Sequence, residues 1–288
     1  MSRDKKIFAA LRRLLSPRLE SCLVCGRSAR VGASLPLLCE YCAAKVPRIV
    51  EPRCPICGRA HGCPDCLRPE ALLRAFVLNR SAVLYDTVMR EWIAEYKYGA
   101  REGFAEPFSI LLEQTYQRMR RELSKPFPQS GPFASPLSVF DSSRRSSVWN
   151  ADWITWVPLS AERLEERGFN QAERLGRLLA GRLRLPAGEL LARTVHTGKQ
   201  SFKTRAERLR NLEGAFCLAP NLDPRFFKQW DSIGNRKDPQ GSFPIRILLI
   251  DDIYTTGTTA AVCASVLKTL ETGFKRPVLV YSLTLARS

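Results

Sequence analysis

The residues best suited to chemistry lie together late in the chain. Asp251 and Asp252 are followed by Ile253 and Tyr254, and then by Thr255, Thr256, Gly257, Thr258 and Thr259, hydroxyl residues around one glycine. Gly257 lets the backbone turn tightly and come close to a ligand. Amides at the start of a helix lack intrahelical acceptors and point outward, and the positive end of the helix dipole at the same place suits a phosphate. No lysine stands in the loop, so it is not the GxxxxGK[ST] nucleotide cradle. Two carboxylates would repel a phosphate, but they suit sugar hydroxyls a few ångströms away. A ligand with a phosphate at one end and a diol at the other, a ribose 5-phosphate, satisfies both features. The competing interpretation is an ordinary strand, loop and helix with an acidic edge.

A second set of reactive residues lies early in the chain. Eight of the ten cysteines fall between positions 22 and 66 in four CxxC pairs: Cys22/Cys25, Cys39/Cys42, Cys54/Cys57 and Cys63/Cys66. This spacing brings both thiolates of a knuckle to one tetrahedral zinc, and two knuckles complete a four-cysteine site. Two structural zinc ions are expected. Gly26 and Gly58 each follow a second cysteine, where a knuckle turn needs backbone freedom. Consecutive pairing keeps the loops short, while interleaved pairing stays open on spacing alone. His61 lies inside the second loop, but four cysteines already suffice. Disulfides are not expected in a reducing compartment. A thioredoxin-like use of one pair lacks the surrounding βαβ pattern. With all positions filled by protein, such zinc holds together a segment too small to build its own core. Cys217 and Cys263 are expected to be buried apolar residues.

These residues need elements to position them. Residues 245–250 are aliphatic except for Arg246, the pattern of a strand buried on both faces of a parallel sheet. From Thr258 the chain reads as a helix with Val262, Val266, Leu267 and Leu270 on its inner face. Residues 153–159 form a second candidate buried strand. A charged loop over 163–172, containing Gly168, follows it and leads into a helix carrying Leu175, Leu178, Leu179 and Leu183. Such a loop places Arg163 and Arg167 at the carboxyl end of the strand, a position for binding anions. Residues 74–85 suggest a hairpin or two short strands around Asn79, Arg80 and Ser81. Asp86 then opens a helix with Val88, Trp92, Ile93 and Tyr96, ending at Lys97-Tyr98-Gly99, and another helix is expected over 104–123. Lys97 is placed either to meet a diphosphate or to complement its helix dipole. Residues 190–194 suggest a short strand, and the basic segment 200–211 either a flap over the ligand or a surface helix. His196 has no evident partner.

A chain of 288 residues accommodates one ordinary domain and a small accessory one. Its net charge of +17 favours polyanions, whether nucleic acid, an anionic membrane surface or small phosphorylated ligands. No apolar stretch is long enough for a transmembrane segment. Arg12 and Arg13 interrupt any signal-peptide core, so a cytoplasmic protein is expected. Ile7, Leu11, Leu14 and Leu15 share one face of a helix over 1–18 that should pack on its own domain. The expected organisation is this helix, a double zinc ribbon over 19–70, and a larger domain over 74–288. The last carries loosely ordered insertions at 124–150 and 219–244, rich in Ser, Pro, Asn, Asp and Gly.

The residues 247–259 resemble the phosphoribosyl diphosphate (PRPP) signature of type I phosphoribosyltransferases, at both acids and throughout TTGTT. More narrowly, the order of motifs resembles the ComF family, phosphoribosyltransferase-like proteins linked to DNA uptake in natural transformation. Those motifs are the CxxC-rich start, KYG from Lys97, Pro158-Leu159 with RGFNQA from Arg167, the Q-S…R-A-E-R…N run from Gln200, and IDDIYTTGTT from Ile250. The resemblance spans about residues 19 to 286 apart from the two insertions. It implies an α/β, type I phosphoribosyltransferase-like parallel sheet flanked by helices behind a small N-terminal zinc-ribbon domain. It further implies that Thr255, Thr256, Gly257, Thr258 and Thr259 hold the 5-phosphate, and that Asp251 and Asp252 hold the ribose hydroxyls. Arg163 and Lys97 would meet the diphosphate, and Mg2+ would travel with it. In a transferase, Asp251 and Asp252 would stabilise a cation-like sugar and Arg167 the departing diphosphate. The alternative is a single-stranded-DNA-binding adaptor with a PRPP-sensing pocket, working with DNA-uptake proteins. Ser160 stands where the family pattern has His, and Lys203 where it has an apolar residue, so the acceptor pocket is the part least defined.

Overall fold

The computed structural model of the protein describes residues 19–30, 35–63, 66, 74–99, 101–125, 148–194, 214–228 and 243–288. The helix expected over 1–18, His196, the 200–211 segment with Lys203, and the middles of both insertions lie outside the described residues. A short antiparallel ribbon, β1 (Leu19–Ser21) and β2 (Ser28–Arg30), and the helix α1 (Glu40–Ala44) carry the first cysteines. Next come β3 (Phe76–Leu84), α2 (Thr87–Tyr98), a 3-10 turn (Glu102–Phe104) and α3 (Ala105–Leu123). They are followed by β4 (Trp153–Trp156), α4 (Ala161–Arg167), α5 (Gln171–Leu183) and the antiparallel pair β5 (Leu191–Arg193) and β6 (Phe216–Leu218). The last elements are β7 (Ile245–Tyr254), α6 (Thr258–Lys268), α7 (Leu270–Phe274) and β8 (Val278–Arg287).

β3, β8, β7 and β4 form, in that order, a four-stranded parallel sheet. β7 is central, and alternate residues explain its aliphatic run. Ile245, Ile247 and Leu249 pack in one core with Cys263, Ala264 and Leu267 of α6. Leu248 and Ile250 face the other core, with Leu175 and Leu179 of α5 and Leu111 and Leu112 of α3. All five β7 side chains are fully buried, and burying each such side chain contributes roughly 1.5–3 kcal/mol. The inner face of α6 differs from expectation: it is Ala260, Cys263, Ala264 and Leu267, while Val262 and Val266 lie at the margin. Small residues at 260 and 264 suit close packing on the sheet, and Leu270 belongs to the next helix. Cys263 is buried as expected, but Cys217 is only half-buried.

The polar triplet Asn79, Arg80 and Ser81 does not make a turn. β3 runs straight through it as one strand with a register shift between Phe76 and Asn79, and all three residues are buried. Their partners come from elsewhere: Glu122 and the Pro55 carbonyl for Arg80, the Cys57 carbonyl for Asn79, and Thr284 for Ser81. Buried polar groups that find partners remain in the core instead of ending the strand. β3 is an edge strand, and the cysteine-bearing segment before it covers that edge. Ile49 donates its amide to Ala82, Leu84 to Pro47, and Asn79 to Ile56, at 2.9, 2.9 and 2.7 Å. A covered edge cannot template aggregation.

This docking is tight at Gly58. Its φ is +69°, and a Cβ there would meet the Asn79 carbonyl oxygen at 2.6 Å, whereas Gly26, also at +69°, has open space. Both alanine variants incur about 1–2 kcal/mol for a left-handed conformation. Gly58→Ala should therefore lower the melting temperature clearly more than Gly26→Ala, and equal melting curves would refute this packing.

Three further boundaries differ from expectation. The 163–172 stretch is not a loop over its whole length: residues 163–167 belong to the helix α4, capped at its start by Ser160, whose hydroxyl accepts from the Arg163 amide, and closed by Gly168 at φ +75°. Asn170 then caps α5 by accepting from the Ala172 and Glu173 amides. The insertion expected over 124–150 ends sooner than read, because Trp149 is buried against Tyr116 and Tyr281. The one expected over 219–244 begins later, because Phe226 is buried edge-on to Trp153 and Phe274. Large aromatic side chains outweigh the loop-like composition around them. Among the described residues, no helix is long and apolar enough to cross a membrane.

Candidate functional site

β4 ends at Trp156 opposite Ile250, so β7 runs on past its neighbour with Asp251 and Asp252. The chain leaves β4 through Val157, Pro158 and Leu159 into α4, and the space left open is a cleft of about 200 Å³. Lys97 of α2, Arg163 and Arg167 of α4, Arg193 of β5, Thr259 of α6 and both aspartates line it. Five separate elements thus converge on one place at the carboxyl ends of parallel strands, the usual ligand position in open α/β sheets.

The carboxylates differ in character. Lys97 forms an ion pair with Asp252, the two side chains being 13% and 17% exposed, so solvent screens them little. Burial opposes ionisation of Asp252, but Lys97 and then Arg167 hold its pKa below the usual aspartate value. Burial, followed by the charge of Asp252, pushes Asp251 up to about 8, although its Oδ1 accepts from the Asp252 amide at 2.8 Å. Of the two, Asp252 is the more readily ionised, and Asp251 holds its proton to higher pH.

In the unfolded chain Asp251 loses its proton near pH 4, and in the folded chain only near pH 8. Between those values the folded state binds more protons, so this residue's contribution falls as pH rises through that window. Asp252, shifted the other way, acts below it. The melting-temperature advantage of Asp251→Asn over the parent is expected to grow from pH 5 to pH 8. A constant difference would contradict the shifted acid.

The arginines complete a positive cleft. Arg167 donates to Gln171 Oε1 at 3.0 Å and to the Tyr98 hydroxyl at 2.8 Å, and stacks over the Tyr98 ring. Arg193, half-buried, lies over Phe216, and burial together with nearby Arg163 lowers its pKa. An anion in the cleft would offset that repulsion. Residue types alone did not single out Arg193, because a three-residue strand carries no motif. Asn170 and Gln171 also line the cleft. Lys97 reaches the cleft, but its partner there is Asp252.

Beside the aspartates, Gly257 takes φ +80° and starts α6 without a side-chain cap. The first-turn amides therefore have neither an intrahelical acceptor nor a capping oxygen. Thr256 and Thr258 share a hydroxyl–hydroxyl hydrogen bond of 2.8 Å. Of the five loop residues, Thr259 lines the cleft, Thr255 is exposed, Thr256 is half-buried, and Gly257 and Thr258 are buried.

The cysteines gather as two clusters, Cys22/Cys25/Cys39/Cys42 and Cys54/Cys57/Cys63/Cys66, the consecutive pairing. Within each, the sulfurs lie within 4.8 Å of one another, against an ideal edge of roughly 3.8 Å for a tetrahedron of sulfurs around zinc. Each first knuckle closes through a glycine amide, Gly26 to Cys22 at 2.9 Å and Gly58 to Cys54 at 3.1 Å. Hydrogen bonds from Cys57 and Cys66 pull the Cys54 thiol down to about 3. Burial opposes ionisation of Cys22, but backbone amides bring it down to about 6. Four sulfurs this close together form a donor set that fits a tetrahedral thiolate metal site. His61 is exposed and belongs to neither cluster.

No protein-family model matches the chain. It is 31% identical over 261 residues to competence protein ComFC of Bacillus subtilis, covering 87% of this chain and 84% of that protein. Competence protein F of Haemophilus influenzae is 26% identical over 240 residues, covering 81% and 85%. DNA utilization protein YhgH of Escherichia coli K12 is 26% identical over 235 residues, covering 81% and 92%.

Proposed function

Because the chain belongs to the ComF family, we propose that its cleft binds PRPP and that the protein serves in the uptake or use of DNA. The observation that carries the ligand is the meeting of a carboxylate pair, an uncapped helix start and an arginine-lined cleft at the end of β7. Asp252, held as a carboxylate by Lys97, accepts from one ribose hydroxyl, and Asp251 completes the diol contact. The 255–259 loop receives the 5-phosphate, and Arg163, Arg167 and Arg193 the diphosphate. Mg2+ travels with the diphosphate and neutralises part of its charge. Each cysteine cluster holds one structural zinc. Eight thiols committed to metal suit the reducing cytoplasm.

In a phosphoribosyl transfer, the C1–diphosphate bond breaks and a nucleophile forms the new bond at C1. Asp252 would then face the positive charge growing on the sugar, and Arg167 the leaving diphosphate. The test compares two ligands. Asp252→Asn should weaken PRPP binding by about tenfold or more while leaving inorganic diphosphate almost unaffected, and Arg167→Met should weaken both. Equal losses for both ligands in Asp252→Asn would refute the diol contact.

The net charge of +17 favours a second role, binding of single-stranded DNA by an adaptor whose pocket senses PRPP. DNA affinity that falls steeply with salt and survives Asp252→Asn, without diphosphate release from PRPP, would select that role over the transferase.

A further inference from the structure

β8 ends in Arg287, a buried arginine that touches two distant parts of the protein. Its Nη1 donates to the carbonyls of Tyr254 at 3.3 Å and Thr255 at 2.9 Å, where β7 passes into the anion-binding loop, and also to Ser288. Its Nη2 lies 3.8 Å from Cys57 Sγ in the second cysteine cluster. Arg74 approaches the same cluster, with Nη1 2.8 Å from Cys66 Sγ. The Arg287 guanidinium also covers the Tyr254 ring, and the Tyr254 hydroxyl fills the space that a side chain at Gly257 would need. Cluster, arginine, tyrosine and loop are therefore in continuous contact.

We infer that Arg287 is a positioning residue that makes the shape of the 255–259 loop depend on the metal in the second cysteine cluster. The inference rests on the proposed role of that loop in phosphate binding. Two elementary facts connect the parts. A trans peptide carries its C=O and N–H on opposite edges, so holding the Tyr254 and Thr255 carbonyls turns the Thr255 and Thr256 amides away from Arg287. A divalent ion with four thiolates carries two net negative charges, and the guanidiniums of Arg74 and Arg287 are the groups placed to balance them. With a metal held by the cluster, the Cys57 sulfur would fix Arg287, Arg287 holds two carbonyls, and the carbonyls orient two amides. Losing the ion lets the sulfurs separate and removes one end of the chain of contacts. The first cluster has no such contact among the described residues.

The test uses the full-length, zinc-loaded protein and amide hydrogen exchange over 254–259, which needs no ligand. Cys63→Ser leaves Cys57 in place but breaks the second cluster, Cys25→Ser breaks the first, and Arg287→Met removes the bridge. Exchange in the loop should rise roughly tenfold or more in Cys63→Ser and in Arg287→Met, the scale of one lost charge-assisted hydrogen bond, with no further rise when the two are combined. Cys25→Ser should leave it unchanged. Arg287→Lys, a gentler change, keeps a donor for the carbonyls but lacks the second arm toward Cys57. Its loop should exchange about as fast as in Cys63→Ser, and Cys63→Ser should have little added effect in that background. A loop that responds equally to both clusters, or additive effects of Cys63→Ser and Arg287→Met, would overturn the inference. PRPP affinity should follow the exchange. If exchange responds as expected but PRPP does not bind the parent, the coupling stands and the assignment of the pocket falls.

Discussion

If each cysteine cluster holds one zinc, as proposed, Cys54→Ser should release one of the two ions and lower the melting temperature by roughly 10 °C or more. Cys54 is buried, and its cluster does more than hold its own loop. The segment from Pro47 to Gly58 covers the open edge of β3, and the carbonyls of Pro55, Ile56 and Cys57 satisfy the buried Arg80 and Asn79. Removing the metal loosens this cover and leaves a buried guanidinium and a buried amide short of acceptors. Breaking such a set costs several kcal/mol, because the stranded groups remain in the core. Zinc content and thermal melting measured on the same preparation decide it. Loss of one zinc with unchanged melting would show that packing alone holds the segment in place.

Gly257→Ala is expected to weaken PRPP binding about a hundredfold and to destabilise the fold. The residue sits at φ +80°, which costs an alanine about 1–2 kcal/mol. The new Cβ would also lie 2.6 Å from Tyr254 Cζ and collide with the hydroxyl. Tyr254 has little room to retreat, since Phe76 meets its ring edge-on and Arg287 covers it. The loop must move instead, and with it the amides at the start of α6. Tyr254→Phe separates the contributions. The hydroxyl is buried with no hydrogen-bond partner among the described residues, so removing it should leave stability unchanged or raise it. In that background part of the damage from Gly257→Ala should be recovered. A Gly257→Ala protein with parental affinity would show that the turn does not shape the site.

Some of this architecture was legible in the residues because the physics is local. A strand buried on both faces admits little besides aliphatic side chains, and β7 reads that way except at Arg246. α2 shows its ends, with Asp86 accepting from the Met89 amide and Gly99 closing the last turn. The four CxxC pairs marked metal ligands, yet spacing left their pairing open, and the folded clusters select the consecutive arrangement. β3 was harder. Asn79, Arg80 and Ser81 look like a turn unless Glu122 and Thr284 are known to meet them, and those residues lie 42 and 203 positions away from their partners. The inner face of α6 was displaced for a related reason. Valines attract the eye, but close packing on a sheet selects the alanines and Cys263. Arg193 carried no signal, because its place in the cleft depends on where β5 lies rather than on its neighbours in sequence. The closeness of Lys97 to Asp252 is likewise a product of the fold, joining α2 to the end of β7.

The most direct measurement is a calorimetric titration of the zinc-loaded full chain with PRPP in the presence of Mg2+. Saturable heat from a single site is expected, with affinity about tenfold or more weaker when Asp252 is replaced by Asn. Absence of heat at millimolar PRPP, from protein that retains both zinc ions and its normal melting transition, would contradict it.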